Sequence, residues 1–338
     1  MRPFLTAAAG RLPGPFPVGR ICSATVTRSR RWLSQGLLSE LDAWRTATLK
    51  RTDTAHDTVT ASSLRKLAVT IDSAALPTFN TPDAIVPPNW HHVYFPDLET
   101  EANLAPDGYD ATYAPPARLP NRMWAGGRLE WNPYNPLRVG QDVQQVTACT
   151  DIQAKDSARV GSLVQVTLSK TISNAGGWAL TDHRSLVYME QDGPRRTPLR
   201  RTIEFKKRSD FEATIHPTEI MLFRYSALTF NSHRIHYDWP YATGTEGHAS
   251  CLVHGPLTCT LLLDLTRRHF PADTRPLFRT FTYRALSPLF CGEPFTVAGR
   301  WVRGQPAAGS ESAPITGCEL WAKNEDGGLA MSGTLEFA

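Results

Sequence analysis

An internal repeat restricts the fold of this chain more than any other feature of its sequence. The segments NPLRVGQDVQQVTA at 135–148 and SPLFCGEPFTVAGR at 287–300 share Pro-Leu-x-x-Gly, a polar turn and an alternating run. Their glycines, Gly140 and Gly292, lie 152 residues apart, and a second match, GGWAL with GGLAM, recurs at a spacing of 151 residues. Self-similarity at nearly one spacing indicates a duplicated structural unit.

Alternation of apolar and polar residues predicts that each unit is built on antiparallel strands. SLVQVTLSKTI at 162–172 and GCELWAKN at 317–324 both alternate with a period of two residues, which is typical of half-buried strands. We therefore predict an α+β fold with two similar halves, at 60–190 and 209–338, joined by a basic, proline-containing linker at 191–208.

One helix is predicted with particular clarity, in the second half. The segment LVHGPLTCTLLLDLTRRHF at 252–270 places Gly255 and Pro256 before an apolar run, and proline is favoured at a first helical position. A helix that is apolar on nearly every side belongs inside a curved sheet, so we predict a tandem hot-dog fold. The first half has instead a proline-rich stretch at 104–127, where loss of the helix would leave room for a long substrate.

The N-terminus is arginine-rich and free of acidic residues as far as Glu40. This composition, without a long apolar stretch, is typical of a mitochondrial transit peptide, which we place at 1–35, with a basic tail as the alternative. Without these arginines, the formal charge of +4 becomes −2, so we expect no nucleic-acid binding. The six arginines are Arg2, Arg11, Arg20, Arg28, Arg30 and Arg31.

Two further compositional features exclude classes of protein. The chain contains no run of ~18 apolar residues, the length that a membrane-spanning helix requires. The six cysteines are scattered and form no CxxC pair, which indicates buried thiols in a reducing compartment.

The stretch FNSHRIHYD at 230–238 concentrates protonatable side chains in a chain of strands and turns. A metal site would need a further ligand beside His233, His236 and Asp238, and a polar loop would need no function at all. The third interpretation is acid–base catalysis. A neutral imidazole, with an ordinary pKa of ~6.5, can take a proton from the carbon beside a thioester carbonyl.

The helix start at His254-Gly255-Pro256 supplies what such chemistry also needs. Backbone N–H groups at a helix N-terminus, with the positive end of the helix dipole, stabilise a developing enolate oxygen. A glycine at that position allows a ligand to approach the backbone closely.

Two segments carry a resemblance to a known family. YSALTFNSHRIHYD at 225–238, followed by GHASCLVHGPLTCTLLLDL at 247–265, resembles the catalytic segment and hot-dog helix of MaoC-like (R)-specific hydratases and dehydratases. RLPNRMWAGGRLEW at 118–131 is similar to the first half of their eukaryotic members. Over residues 60–338 the chain most resembles the mitochondrial 3-hydroxyacyl-thioester dehydratase type 2 family, in its fungal form.

The resemblance assigns roles to individual residues. His236 matches the family's catalytic histidine, Thr229 matches a Ser/Thr, and Gly255 matches the backbone donor. Asn231 stands where the family usually has an aspartate, so this chain departs from the pattern. An amide cannot protonate a leaving hydroxyl, although it can orient one. The resemblance therefore implies the catalytic residues His236, Asn231 and Gly255, and the substrate-binding residues Tyr225, Thr229, His254 and Trp124.

The source of the proton for the leaving hydroxyl stays open at this point. His236 can return the proton that it has taken, which suits a syn elimination. Asp238 or Tyr225 can instead act as the acid, or the activity is weakened.

The implied function is reversible dehydration of (3R)-3-hydroxyacyl thioesters in mitochondrial type II fatty-acid synthesis, in the matrix. The carrier is an acyl carrier protein or CoA, which basic linker residues can meet, and neither a metal nor a redox cofactor is expected. A monomer and a homodimer are both compatible with the duplication. The alternatives are hydration of a mesaconyl-CoA-type thioester and a non-catalytic acyl-thioester binding module. The linker residues are Arg195, Arg196, Arg200, Arg201, Lys206, Lys207 and Arg208.

Overall fold

The structure is a computed structural model that describes residues 35–116, 119, 121–157, 161–189, 205–270, 277–305 and 313–338. Residues 1–34 of the predicted transit peptide and most of the predicted basic linker lie outside the described residues.

The described residues form ten strands, which join one antiparallel sheet in the order β1-β3-β4-β5-β2-β7-β10-β9-β8-β6. The strands are β1 (Thr52–Thr58), β2 (Asn121–Trp131), β3 (Asp142–Ser157), β4 (Gly161–Asn174), β5 (Gly177–Met189), β6 (Phe211–Ile215), β7 (Phe278–Ala285), β8 (Phe295–Arg303), β9 (Ile315–Asn324) and β10 (Leu329–Phe337). The helices are α1 (Gln35–Lys50), α2 (Ala61–Thr70), α3 (Glu219–Leu228) and α4 (Gly255–His269).

The two halves of the sheet repeat one topology, as the sequence repeat predicts. The order β1-β3-β4-β5-β2 in the first half corresponds to β6-β8-β9-β10-β7 in the second, and the halves meet where β2 pairs with β7. Gly140 and Gly292, matched in sequence, take φ angles of 90° and 83° before β3 and β8. These values favour glycine. The predicted α+β double hot-dog fold is confirmed, with the two sheets continuous through one seam.

The predicted buried helix is α4, and it begins at Gly255 with Pro256 in its first turn. Every residue from 257 to 266 is buried. Some of these buried residues are threonines, which are polar. Their hydroxyls can be buried because they donate to backbone carbonyls one helical turn earlier. Thr260 donates to the carbonyl of Pro256 at 2.9 Å and Thr266 to that of Leu262 at 2.9 Å.

Replacing Leu262 in α4 with alanine is expected to lower the free energy of unfolding by about 2–5 kcal/mol, because a fully buried leucine leaves a cavity. Leu262 is 0% exposed, whereas Leu98 is 83% exposed and provides the matched control. Urea unfolding of the two alanine variants measures the difference. Equal losses in both would show that α4 is not the buried helix.

The first half has no helix comparable to α4 among its described residues. Between α2 and β2 the described chain forms only short 3₁₀ helices, of which Trp90–Val93 and Leu76–Asn80 contribute the buried side chains Trp90 and Phe79. The loss predicted from the prolines is therefore observed. Helices α1, α2 and α3 were not predicted, and β1 begins at Thr52, before the predicted start of the first half.

No helix in the described part of the chain is both long and apolar enough to cross a membrane.

Candidate active site

The loop that carries the predicted catalytic residues begins where α3 ends. Thr218 caps the start of α3, with its side-chain oxygen accepting from the Met221 N–H at 3.1 Å. At the other end, the Thr229 hydroxyl donates to the carbonyl of Tyr225 at 2.8 Å. Phe230 then takes a φ of 51°, a value that is uncommon for residues other than glycine. The chain therefore leaves the helix abruptly and turns into the loop.

Asn231 organises this loop through its own side chain. Its Oδ1 accepts the backbone N–H of His233 at 3.0 Å, which forms an Asx turn, and its backbone N–H donates to the carbonyl of Ser226 at 2.8 Å. With the oxygen occupied in this way, the side-chain NH₂ group is the part of Asn231 that can contact a substrate hydroxyl.

Residues of the first half hold the same loop from the opposite side. The Ser232 hydroxyl donates to the carbonyl of Gly108, and the Arg234 N–H donates to the carbonyl of Asp107 at 2.8 Å. The Asp107 carboxylate lies 3.3 Å from Nε2 of His233 and is paired with Arg122. The site is thus built from both halves, although its predicted residues come mostly from the second.

His236 is oriented as a base by its backbone contact. Its Nδ1 lies 2.9 Å from the carbonyl oxygen of Leu252, and because a carbonyl only accepts, Nδ1 carries the proton and Nε2 the lone pair. The ring of His236 stacks on that of His254, with centroids 3.7 Å apart and planes at 18°. His254 is fixed in turn by a 2.8 Å hydrogen bond between its Nε2 and the Ser226 hydroxyl.

Burial keeps His236 neutral. Desolvation, with a smaller contribution from the charge of His233, lowers the pKa of His236 to about 3. Burial also lowers the pKa of His254 well below its usual value. Both imidazoles therefore stay uncharged at neutral pH, and Nε2 of His236 is free of a proton in the resting site.

The lowered pKa of His236 predicts a pH dependence of stability. Between pH 6.5 and about 3 the unfolded chain binds a proton at His236 that the folded chain does not, so this contribution to stability is complete above pH 6.5 and is lost as the pH falls. From pH 7.5 to 5.0 we expect the wild-type free energy of unfolding to fall by ~2 kcal/mol more than that of His236→Gln. Urea unfolding at the two pH values measures this. An equal fall in both proteins would contradict it.

The N-terminus of α4 points a free backbone donor toward this region. The N–H of Gly255 donates no hydrogen bond to any described residue, as expected in a first helical turn. A Cβ added at Gly255 would lie 3.3 Å from the Trp124 ring, so glycine also fits the close packing of α4 against β2. Trp124 donates from Nε1 to the Tyr283 hydroxyl at 3.1 Å.

A cavity of ≈ 90 Å³ lies beside the loop and extends into the first half. Four of the predicted residues, Trp124, Tyr225, Thr229 and Asn231, line it together with Pro256 of α4. The buried hydroxyl of Tyr225 has no hydrogen-bond partner among the described residues, and burial raises its pKa, so this group is a protonated donor.

Three predicted residues, His236, His254 and Gly255, are not among those that line the cavity. The rings of His236 and His254 are stacked on each other. Asp238, considered from the sequence as a possible acid, binds Arg234 through Oδ2 at 2.9 Å. Hydrogen bonds to Tyr241 and Arg234 lower the pKa of Asp238. A carboxyl group that is ionised in this way is a poor proton donor.

The first half contributes a polar wall that the sequence interpretation missed. It is formed by residues that line the cavity: His91, His92, Lys170 and Arg184. Behind them Asp182 is 0% exposed and accepts from Nε of Arg184 at 2.7 Å. The expected room for a long acyl chain is thus a polar cavity. The only sequence signal was the pair of polar runs WHH at 90–92 and TDHR at 181–184.

Comparison with known proteins agrees with this architecture. The model of the family "Hydroxyacyl-thioester dehydratase type 2" matches residues 89–291. Mesaconyl-C(4)-CoA hydratase of Chloroflexus aurantiacus is 33% identical over 295 residues, which cover 86% of this chain and 97% of the relative. The mitochondrial hydroxyacyl-thioester dehydratase type 2 of Schizosaccharomyces pombe is 28% identical over 238 residues, which cover 62% of this chain and 76% of the relative.

Solved structures show the same fold. A MaoC-like dehydratase from Phytophthora capsici superposes with a TM-score of 0.59 at 17% identity, covering 89% of this chain and 98% of that one. A Mycobacterium tuberculosis protein described as a double hotdog fold gives a TM-score of 0.51 at 13% identity, covering 87% of this chain and 98% of that one. The sequence matches and the site together show that the chain is a hydro-lyase of the MaoC-like hydroxyacyl-thioester dehydratase type 2 family.

Proposed function

We propose that the chain catalyses the reversible dehydration of (3R)-3-hydroxyacyl thioesters to trans-2-enoyl thioesters, with His236 as the base. The observation that carries this proposal is the hydrogen bond from Nδ1 of His236 to the carbonyl of Leu252. It leaves a lone pair on Nε2, in a ring stacked on the residue that precedes α4.

In the forward direction, Nε2 of His236 takes a proton from C2, and the electron pair of that C–H bond moves toward the thioester carbonyl. The developing charge on the carbonyl oxygen is stabilised by the Gly255 N–H and the positive end of α4. The C2–C3 double bond then forms as the C3–O bond breaks, and the hydroxyl leaves as water after it receives a proton.

The leaving hydroxyl has two available proton sources. His236 can return the proton, in a syn elimination that restores the neutral imidazole. Tyr225 is the second source, because the residue lines the cavity and its buried hydroxyl stays protonated without a hydrogen-bond partner among the described residues. The NH₂ group of Asn231 orients the departing oxygen, the role that remains to an amide at the position of the family's aspartate.

We place this reaction in mitochondrial type II fatty-acid synthesis, in the matrix, with acyl carrier protein as the carrier. The arginine-rich N-terminus supports this setting, as does the similarity to the mitochondrial relative of Schizosaccharomyces pombe. The basic linker at 191–208 is the proposed contact for an acidic carrier; at its described end, Lys207 pairs with Glu319 at 2.6 Å.

A second candidate, hydration of a mesaconyl-CoA-type enoyl thioester, is favoured by a specific observation. The relative that covers most of this chain, at 33% identity, is a mesaconyl-C(4)-CoA hydratase, and the cavity beside the loop has a polar wall. Both candidates use the same addition or removal of water and differ in the acyl group and the carrier.

Turnover of a (3R)-3-hydroxyacyl thioester, offered on acyl carrier protein and on CoA, tests the proposal with the chain lacking residues 1 to about 35. We expect turnover by the wild type and a rate in Asn231→Asp within about tenfold of it, since the aspartate exchanges the amide donor for an acid that can protonate the leaving hydroxyl. An inactive wild type that gains activity on either carrier only as Asn231→Asp would favour the non-catalytic binding module.

A further inference from the structure

The polar wall formed by His91, His92, Lys170 and Arg184 has a composition that an apolar acyl chain does not require. Charged side chains are rarely buried unless they are paired, and removing them from water carries a large cost in free energy. The described chain pairs these groups incompletely, and the unsatisfied atoms belong to residues that line the cavity.

Lys170 is the least satisfied of the four. The residue is 8% exposed and lines the cavity, yet its ammonium group donates no hydrogen bond to any described residue. Its one ion pair, with Oδ1 of Asp97, spans 3.7 Å, and the Asp97 side chain is half exposed. Burial lowers the pKa of Lys170, which is the effect of a cation that lacks a close anion.

Arg184 is held rigidly but retains unused donors. Its Nε donates to Asp182 at 2.7 Å, one terminal nitrogen donates to Nδ1 of His92 at 2.9 Å, and its guanidinium lies 5.4 Å from the centre of the Trp124 ring. The other terminal nitrogen, Nη1, donates no hydrogen bond to a described residue. A guanidinium fixed in this way is prepared to bind a planar anion.

The charges in the buried part of the wall do not cancel. Lys170 and Arg184 contribute two positive charges, and the buried Asp182 contributes one negative charge. Three further carboxylates line the cavity nearer its surface: Asp97 is half exposed, Glu99 accepts from Asn103 at 2.8 Å, and Asp110 accepts from Thr112 at 2.7 Å. An anion placed between Lys170 and Arg184 would accept from the donors that these two side chains leave unused.

The polar wall is a poorer site for a metal ion than for an anion. One ligand atom each from His91, His92 and Asp182 lies within 4.8 Å of the others. However, Arg184 already occupies Oδ2 of Asp182, and the Lys170 ammonium adds a second positive charge to the same wall. Both cations repel a metal ion and attract an anion.

We infer that the polar wall is a binding site for a carboxylate at the far end of the acyl group, so that the substrate is the monothioester of a short dicarboxylic acid. The carboxylate accepts from the Lys170 ammonium and from Nη1 of Arg184, while the thioester end lies toward Asn231 and α4 in the same cavity. Both ends of the acyl group then lie in the one cavity that joins the loop to the polar wall, which favours a short acyl group. This inference rests on the proposed hydration and dehydration chemistry, and it selects the second candidate, a mesaconyl-CoA-type substrate, over the acyl chain of fatty-acid synthesis.

The test compares two CoA thioesters of equal chain length, the mono-CoA thioester of trans-butenedioic acid and crotonyl-CoA, which carries a methyl group in place of the carboxylate. The ratio of their kcat/KM values for hydration is measured in the wild type, Lys170→Met and Lys170→Arg. Lys66→Met, at an exposed lysine of α2, is the matched control.

We expect the wild type to prefer the carboxylate substrate by about 10²-fold, because a site built for a polar group rejects the analogue that lacks it. Lys170→Met is expected to lower the ratio at least about tenfold, through a higher KM for the carboxylate substrate. Lys170→Arg keeps most of the preference, and Lys66→Met leaves the ratio unchanged.

The alternative outcomes are distinguishable. Hydration of crotonyl-CoA without a preference for the carboxylate substrate, or a ratio that Lys170→Met leaves unchanged, overturns the carboxylate site while the proposed function stands. Absence of hydration of both thioesters, and of dehydration of 3-hydroxyacyl thioesters on either carrier, overturns the proposed function and the carboxylate site together.

Discussion

His236→Ala is expected to lower kcat/KM for thioester dehydration by about 10²–10⁴-fold, the range associated with loss of a general base. The physical reason is that Nε2 of His236 is the basic atom that the loop presents beside the start of α4. The other ring nitrogen, Nδ1, donates to the carbonyl of Leu252. Initial rates measured on a 3-hydroxyacyl-CoA, with the loss appearing in kcat, provide the test.

The control for this variant is His56→Ala, which removes an exposed imidazole of β1. It should keep activity within about twofold of the wild type, since exposed substitutions far from a site have small effects. Circular dichroism must show that His236→Ala remains folded. A folded His236→Ala protein with activity near that of the wild type would remove His236 from the mechanism.

Gly108→Ala is expected to reduce activity by at least about tenfold and stability by about 1–3 kcal/mol, although Gly108 is not one of the proposed catalytic residues. Gly108 takes a φ of 80°, and a Cβ there would lie 2.3 Å from the carbonyl oxygen of Ser232. The added methyl group must therefore push the catalytic loop away from the first half. Activity assays and thermal unfolding of the same preparation measure both effects.

Gly140→Ala is the control variant, because it distinguishes the steric contact at Gly108 from the backbone strain of a positive φ. Gly140 has a similar φ of 90°, but a Cβ there meets nothing within 4 Å. It should lose stability through strain alone and keep its activity. Equal activities in Gly108→Ala and Gly140→Ala would mean that the first half does not position the loop.

Much of the fold could be predicted because its signals are local and repeated. The Pro-Leu-x-x-Gly turns recur before β3 and β8, and duplication then dictates the shared strand order of the two halves. Helix α4 could be predicted because Gly255 and Pro256 mark its start and its apolar residues run continuously. Helix α3 was missed because EIMLFRYSAL presents apolar residues without a clear stripe, and several of them remain exposed.

The candidate site also has one part that could be predicted from the sequence and one part that could not. Thr229, Asn231 and Tyr225 lie within seven residues of one another, so a single motif brings them together. The polar wall depends on the pairing of distant segments: His91 meets Asp182, 91 residues further along the chain, only after β5 is in the sheet. No local pattern marks such a contact, which is why the expected space for a long acyl chain proved to be polar.

Hydration of a trans-2-enoyl-CoA in D₂O tests the central chemical claim most directly. If a base at His236 exchanges its proton with solvent and delivers it to C2, mass spectrometry and NMR should show a 3-hydroxyacyl-CoA with one deuterium at C2, on the same face as the new hydroxyl. Release of free CoA instead, or deuterium at C2 on the face opposite the new hydroxyl, would show that the site does different chemistry.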